Sequence, residues 1–311
     1  MSSASRIPSR QASGVAFAGG AYVLWGFLPL YFLLLAPTGP WEVVAWRVIL
    51  SLVFCMILLT VLRGWAALRV ILRQPRLLGW TALAGLLIYV NWQVFLIGTL
   101  TGHVVETSLG YFINPITTVL LGVFVLRERI RRLQWAAIAI AAVAVVVIVV
   151  AYGDFPWIAL SLTLSFGVYG LIKKKIGPAV DAVSGLTLES FWLVPIAVVQ
   201  LVLVAQTPEG ITMGAHGAVH AVLLACAGIA TAVPLLLFAA GTRRIDLTVI
   251  GMIQFITPVM QFVIGVVFLR EPMPAERWAG FVIIWIAILV FVIDLVLAGR
   301  RGRRTPRPEM A

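Results

Sequence analysis

Residues 112–136 read FINPITTVLLGVFVLRERIRRLQWA, and residues 255–279 read FITPVMQFVIGVVFLREPMPAERWA. Ten of these 25 positions are identical at an offset of 143, among them Phe112 and Phe255, Pro115 and Pro258, Gly122 and Gly265, and Glu128 and Glu271. Each copy is an apolar run with a proline near its start and Leu-Arg-Glu at its end. A match at one fixed offset marks an internal duplication. Its consequence for the fold depends on how many membrane-length segments separate the copies.

Of the 311 residues, 62% are hydrophobic and 11% are charged, with a mean hydropathy of +1.07. Soluble chains are roughly half apolar and about a quarter charged. The excess extends over the whole length, so it is not a single anchor, and it excludes a soluble enzyme and a secreted disulfide scaffold. Cys55 and Cys226 both lie in apolar runs, which leaves neither a redox framework nor a Cys-based metal site. A crossing helix needs about 20 apolar residues. Ten such segments are present: 14–35, 41–62, 77–98, 104–126, 134–152, 155–172, 184–205, 219–240, 247–269 and 278–298. The alternating, roughly ten-residue strands of a membrane barrel are absent. Arg6 and Arg10 precede the first segment as in a signal peptide, but its length and the nine segments after it make it an uncleaved helix.

The basic residues orient these spans. With the N-terminus inside, the inner segments hold Arg6 and Arg10; Arg63, Arg69, Arg73 and Arg76; Arg127, Arg129, Arg131 and Arg132; Lys173, Lys174 and Lys175; Arg243 and Arg244; and Arg300, Arg301, Arg303, Arg304 and Arg307. These are 20 of the 23 Lys and Arg; only Arg270 and Arg277 fall in outer loops, and Arg47 lies within a span. The asymmetry places both termini in the cytoplasm. It also accounts for the net charge of +11 as topology and lipid-headgroup contact, and nucleic acid is not an expected partner.

The offset of 143 carries five spans, and an odd number turns the second copy over. Arg270 then copies the inner Arg127 but is carried to the outer face. The predicted fold is an all-α integral membrane protein of ten transmembrane helices in two inverted five-helix repeats. A cytoplasmic segment 1–13 precedes the repeats at 14–152 and 155–298, and a basic tail 299–311 follows. Inverted halves can exchange local shapes about a site at the bilayer midplane, which is the architecture of many carriers. A passive channel or a lipid scramblase is the competing class, and a membrane-embedded enzyme a more distant one. No Walker sequence, dinucleotide fingerprint or His/Glu metal cluster is present, so neither cofactor nor metal is expected.

Charged groups in lipid need a reason. Arg47 lies about 9 Å from the outer end of the second span at ~1.5 Å per residue. Its stem can snorkel, or its guanidinium can face a cavity and pair with Glu106 or with an anionic group of the substrate. Glu106 sits at a compatible depth in the fourth span. Glu189, too short to snorkel, lies on the inner side of the seventh span, opposite Trp46 at the repeat offset; we expect a cavity carboxylate or a proton-coupling site there. Asp294 is close enough to a helix end to reach the interface. Asn91, in a third span that also carries Tyr89, Trp92 and Gln93, either bonds a neighbouring helix or contacts substrate. Pro115 and Pro258 each remove a backbone donor, which is tolerated beside protein or a wet cavity. Tyr111, Asn114, Gln254 and Thr257 flank them and are the expected cavity lining.

Taken together, these motifs resemble the drug/metabolite transporter superfamily, and within it the EamA-type, RarD-like permeases. The resemblance rests on Gly110 to Pro115, Trp46 to Ile49, Tyr169-Gly170-Leu171 before the lysine cluster, Leu188-Glu189 ahead of Pro195, Thr231 to Pro234 and Gln254 to Pro258, and it covers residues 14–298. The chain departs from the family at the end of the fourth span, where Gly-Glu-Arg is common and Arg127-Glu128-Arg129 stands. The resemblance implies a permease of the bacterial inner membrane for a small organic solute, such as a drug or an amino-acid-like metabolite. Its implied partners are that solute and membrane lipids; a homodimer is left open.

Overall fold

The computed structural model describes residues 6–126, 131–152, 155–242, 244 and 253–304, which form helices and short connections with no strand among the described residues. In order they are α1 (Arg6–Leu33), α2 (Pro40–Val61), α3 (Trp65–Leu72), α4 (Pro75–Leu100), α5 (Val104–Leu126) and α6 (Arg132–Tyr152). Then come α7 (Trp157–Ile176), α8 (Ala182–Ala205), α9 (Gly217–Ala225), α10 (Ala227–Thr242), α11 (Ile256–Val263) with a π-turn over Ile264–Phe268, and α12 (Ala275–Arg304). Pro40 and Pro75 open α2 and α4, where a missing N–H is no loss. Asp181 caps α8 by accepting from the Val183 and Ser184 N–H groups at 3.1 and 3.0 Å.

Among the described residues, seven helical stretches are long and apolar enough to cross a membrane: Ala12–Leu33, Pro40–Val61, Pro75–Leu100, Val104–Val125, Ala182–Ala205, Gly217–Phe238 and Ala275–Asp294. Three shorter apolar helices, Arg132–Val147, Trp157–Lys173 and Ile256–Phe268, occupy the remaining expected segments. The radial distribution of side chains is that of a protein solvated by lipid. Val61, Phe124 and Val219 are 70% or more exposed, whereas Glu42, Arg47, Asn91 and Glu189 are almost fully buried. Such an apolar exterior would be an association hazard in water, and polar groups in a bilayer belong in the protein interior.

Helix α2 packs on α8, α6 on α12, and α5 on α11. Around them α1 packs on α10 and α11, α7 on α4 and α5, α10 on α2, and α4 on α8. Some of these contacts are backbone-close. A Cβ on Gly228 would meet the Leu50 carbonyl carbon of α2 at 2.5 Å, and one on Gly110 would meet the Ala159 carbonyl oxygen of α7 at 2.8 Å. Glu271 accepts from the Val104 and Val105 N–H groups, which fixes the 269–274 connection at the N-terminal end of α5. Arg131, just beyond the C-terminal end of α5, donates from Nε to Asp294 Oδ1 of α12 at 2.8 Å. Glu271 and Arg131, which lie in the two copies of the duplicated stretch, therefore sit at opposite ends of α5.

Several local features depart from the sequence reading. An additional helix, α3, occupies the connection after the second span. The eighth span is interrupted at Cys226, between α9 and α10. Pro115 lies inside a continuous α5, but Pro258 sits in the first turn of α11 after a break at Gln254 and Phe255, so it removes no mid-helix bond. Asp294, the last residue of its apolar stretch, is buried beneath Arg131; its hydrogen bonds raise the guanidinium pKa above its ordinary value. The start of the ninth expected segment through Met252, together with Arg127, Glu128, Arg129 and Arg243, lies outside the described residues.

Candidate functional site

A cavity of about 90 Å³ lies in the middle of the helix assembly, between α1, α2, α4, α5, α7, α10 and the α11 region. Six of the residues expected from the sequence line it: Arg47, Asn91, Tyr111, Asn114, Gln254 and Thr257. The polar groups are held by neighbouring helices. Asn91 Nδ2 donates to the Leu162 carbonyl at 3.1 Å and to Ser165 Oγ at 3.2 Å, while Asn91 Oδ1 accepts from the Tyr111 hydroxyl at 3.3 Å. Thr257 Oγ1 donates to the Tyr22 carbonyl at 2.6 Å. Gln261, one helical turn beyond, donates to the Trp25 carbonyl at 3.3 Å. The fixed carbonyls belong to α1 and α7 and the donors to α4 and α11, so each bond also ties together the helices that wall the space.

Arg47 is the cation of this cavity and is only 4% exposed. Its Nε donates to Thr231 Oγ1 at 2.6 Å, and the threonine in turn donates to the Ala227 carbonyl of its own helix. The guanidinium carbon lies 4.3 Å from the Trp92 ring centroid and 5.4 Å from that of Phe32, an arrangement that favours a cation over an aromatic face. Nη1 is buried with no hydrogen-bond partner. Opposite it the wall is aromatic: Tyr22 and Trp25 meet edge to face with centroids 5.3 Å apart, and Tyr111 meets Phe166 at 6.3 Å.

The two expected carboxylates lie elsewhere. Glu106 does not meet Arg47; its Oε1 accepts from the Ile158 and Ala159 N–H groups at 3.1 and 3.5 Å, the first turn of α7. There it lines a separate pocket of about 310 Å³ with His103, Trp157, Arg277 and Phe281. Glu189 does not line the central cavity either. It is 1% exposed and accepts from Lys173 Nζ at 2.7 Å and from the Tyr169 hydroxyl at 3.1 Å. Glycine at 85 lets α4 approach, since a Cβ there would lie 2.9 Å from the Glu189 carbonyl oxygen. Lys173, read from the sequence as a topology signal, thus turns inward to a buried partner. Among the described residues no group of three or more His, Cys, Asp and Glu is arranged to hold a metal.

Tyr22, Trp25, Thr231 and Gln261 belong to the cavity and were not singled out as lining from the sequence. Gln261 had a readable signal, because Gln254, Thr257 and Gln261 repeat at three and four residues and so share one helical face. Thr231 entered only through the Thr231 to Pro234 motif, which gave it no partner: its contact with Arg47 follows from the helix that α2 packs against. Glu271 carried the repeat but no expected contact. Its buried carboxylate accepts from Val104 N–H at 2.6 Å and from Val105 N–H at 2.8 Å. Burial raises its pKa above the ordinary carboxylate value, and the two N–H donors oppose part of that rise.

An apolar-surfaced helical protein with a polar cavity between its helices is the build of a membrane transport protein, and the sequence comparisons place the chain within that class. The pattern of the EamA-like transporter family matches residues 12–150 and, a second time, residues 156–293, and the chain belongs to this family. It is 43% identical over 296 residues to protein RarD of Streptomyces exfoliatus, covering 95% of this chain and 93% of that one. It is 38% identical over 288 residues to protein RarD of Escherichia coli strain K12, covering 93% and 96%. A protein of known crystal structure superposes with a TM-score of 0.60 over 91% of this chain and 98% of its own, at 17% identity, a likeness of fold alone. The chain is thus an EamA-type, RarD-like integral membrane transporter.

Proposed function

We propose that the protein carries a small organic solute, such as a drug or an amino-acid-like metabolite, by alternating access about the central cavity, in ten spans arranged as two inverted five-helix halves. The carrying observation is the pattern of helix packing. Pairing α1 with α7, α2 with α8, α4 with α9 and α10, α5 with α11, and α6 with α12 exchanges the halves. Under that exchange the α5–α7 contact becomes α11–α1, α4–α7 becomes α10–α1, and α2–α10 becomes α8–α4, all of which occur. The pairs α2–α8, α5–α11 and α6–α12 map onto themselves. The double match to the family pattern and the placement of Arg131 and Glu271 at opposite ends of α5 support the same reading.

In this reading the halves are residues 14–152 and 155–298. The protein sits in the bacterial inner membrane with both termini in the cytoplasm, and residues 1–13 and 299–311 face that side. Arg47, Asn91, Tyr111, Asn114, Gln254 and Thr257 meet the solute. The Lys173–Glu189 pair, buried between α7 and α8, couples the exchange to protons or ions. Glu106 holds the α7 N-terminus on the outer side. No cofactor takes part. The test is transport by purified protein in liposomes. Saturable counterflow and gradient-driven accumulation of a solute support the carrier, whereas linear, non-accumulating flux or lipid flipping identifies a pore or scramblase.

A further inference from the structure

From the central cavity we propose that the transported solute is an organic monoanion, a carboxylate on an apolar or aromatic body, recognised by Arg47. This rests on the carrier reading above and names its substrate class. Three observations carry it. The first is an orphan donor: Arg47 Nη1 is buried and unpartnered, while the other arm of the same guanidinium is fixed by Thr231. A buried donor left unmet is destabilising, and a carboxylate is the acceptor whose geometry suits the guanidinium fork. Thr231 and the Trp92 face fix the orientation of the fork before a ligand arrives. Little ordering then remains to be done on binding.

The second is charge. No Asp or Glu is among the described residues lining the cavity, and the ion pairs among the described residues are Arg131–Asp294 and Lys173–Glu189, neither of which lines it. An anion therefore neutralises the site. A cation would add to an uncompensated charge, and the ammonium of a zwitterion would find no carboxylate to match it, only the neutral amide oxygens of Asn114 and Gln261, which are buried without partners. The third is the rest of the wall, where Tyr22, Trp25, Phe95 and Phe166 offer ring surface to the body of the solute. At about 90 Å³ the cavity is smaller than the roughly 150 Å³ void that holds benzene in an engineered protein core, so binding of an aromatic acid widens it.

The test uses the full chain, purified in detergent, titrated calorimetrically with matched sets of probes. Propanoate, benzoate and 3-phenylpropanoate are each compared with the corresponding amide and amine, and L-phenylalanine serves as the zwitterion. In the set that binds, the anion should exceed its amide, its amine and the zwitterion by about tenfold or more, the scale of a charge-assisted hydrogen bond. Arg47→Gln should remove that preference, and Arg47→Lys should keep its sign with weaker binding, since an ammonium keeps the charge but not the fork. Equal binding of anion and amide by the wild-type chain, preference for the amine or zwitterion, or failure of all three anions to bind overturns the proposal, whatever the variants do. Counterflow of the tightest probe in liposomes separates this from the carrier reading. Anion-selective binding without counterflow keeps the site and removes the carrier, while counterflow confined to amides or amines keeps the carrier and removes the anion.

Discussion

Glu189, buried, and Lys173, half-buried, form the ion pair of the α7–α8 region, with Tyr169 as the second donor. Removing one partner leaves the other charge without its match. Glu189→Gln should therefore lower stability by about 1.5–3 kcal/mol, the range for hydrogen bonds to charged groups, read as a fall in melting temperature in detergent. A Lys173→Met, Glu189→Met double variant should recover most of the loss, because a buried pair replaced as a unit is often nearly neutral. Additive losses in the double-variant cycle would show that the two side chains act independently. Glu271 gives a pH signature at the N-terminal end of α5. Its carboxyl pKa is raised by burial, so the folded chain binds this proton more readily than the unfolded chain does. The stabilisation is then complete below the ordinary carboxylate value and is lost as pH rises through the raised folded value. Melting temperature should fall across that window in the wild type and be flatter in Glu271→Gln; identical slopes would remove Glu271 as the cause.

At the level of helices, close approach is set by glycine. Gly228 brings α10 against the backbone of α2, and the nearest atoms to an added methyl are the Leu50 carbonyl group, which is backbone and cannot swing away. Gly228→Ala should destabilise by roughly 1–3 kcal/mol through overpacking. Gly170→Ala, inside α7 with nothing near the added carbon, serves as the control and should leave the melting temperature unchanged or raise it slightly, since alanine favours a helix interior. Equal effects of the two substitutions would mean that the α2–α10 contact is looser than described. The segments themselves were readable because long apolar runs are a strong one-dimensional signal. Helix interruptions were not: the break at Cys226, the short α3 and the start of α11 after Phe255 depend on which neighbour accepts a freed backbone group.

For the molecule as a whole, the duplication FINP/FITP at an odd number of spans was enough to propose the inversion, and it also pointed at the middle of the cavity. Tyr111, Asn114, Gln254 and Thr257 flank the paired prolines and do line it. Partners were much less legible. Arg47 and Glu106 have compatible depths, but depth says nothing of rotation about the helix axis, and rotation sends Glu106 to the α7 N-terminus and Arg47 to Thr231. The inverted arrangement makes a direct prediction. In a chain whose free Cys55 and Cys226 are replaced, single cysteines at Gln74 and Gly177 should react with an impermeant thiol reagent from one side of the membrane, and cysteines at His103 and Arg270 from the other. Labelling of positions 74 and 270 from the same side would remove the inversion.

The two copies of the duplicated stretch are alike in sequence but not in shape. Helix α5 runs unbroken through Pro115 to Leu126, whereas the described part of its counterpart is interrupted at Gln254 and Phe255 and closes in a π-turn. For a carrier that works by trading the shapes of its halves, unequal shapes in any one state are what the trade requires, and the sequence differences between the halves make the two states unequal in energy. An imbalance of about 1.4 kcal/mol would keep roughly nine empty molecules in ten waiting on the same side. Such a transporter would have a built-in resting posture that shapes its rates and apparent affinities on the two sides, while the gradient alone sets the net direction of flow.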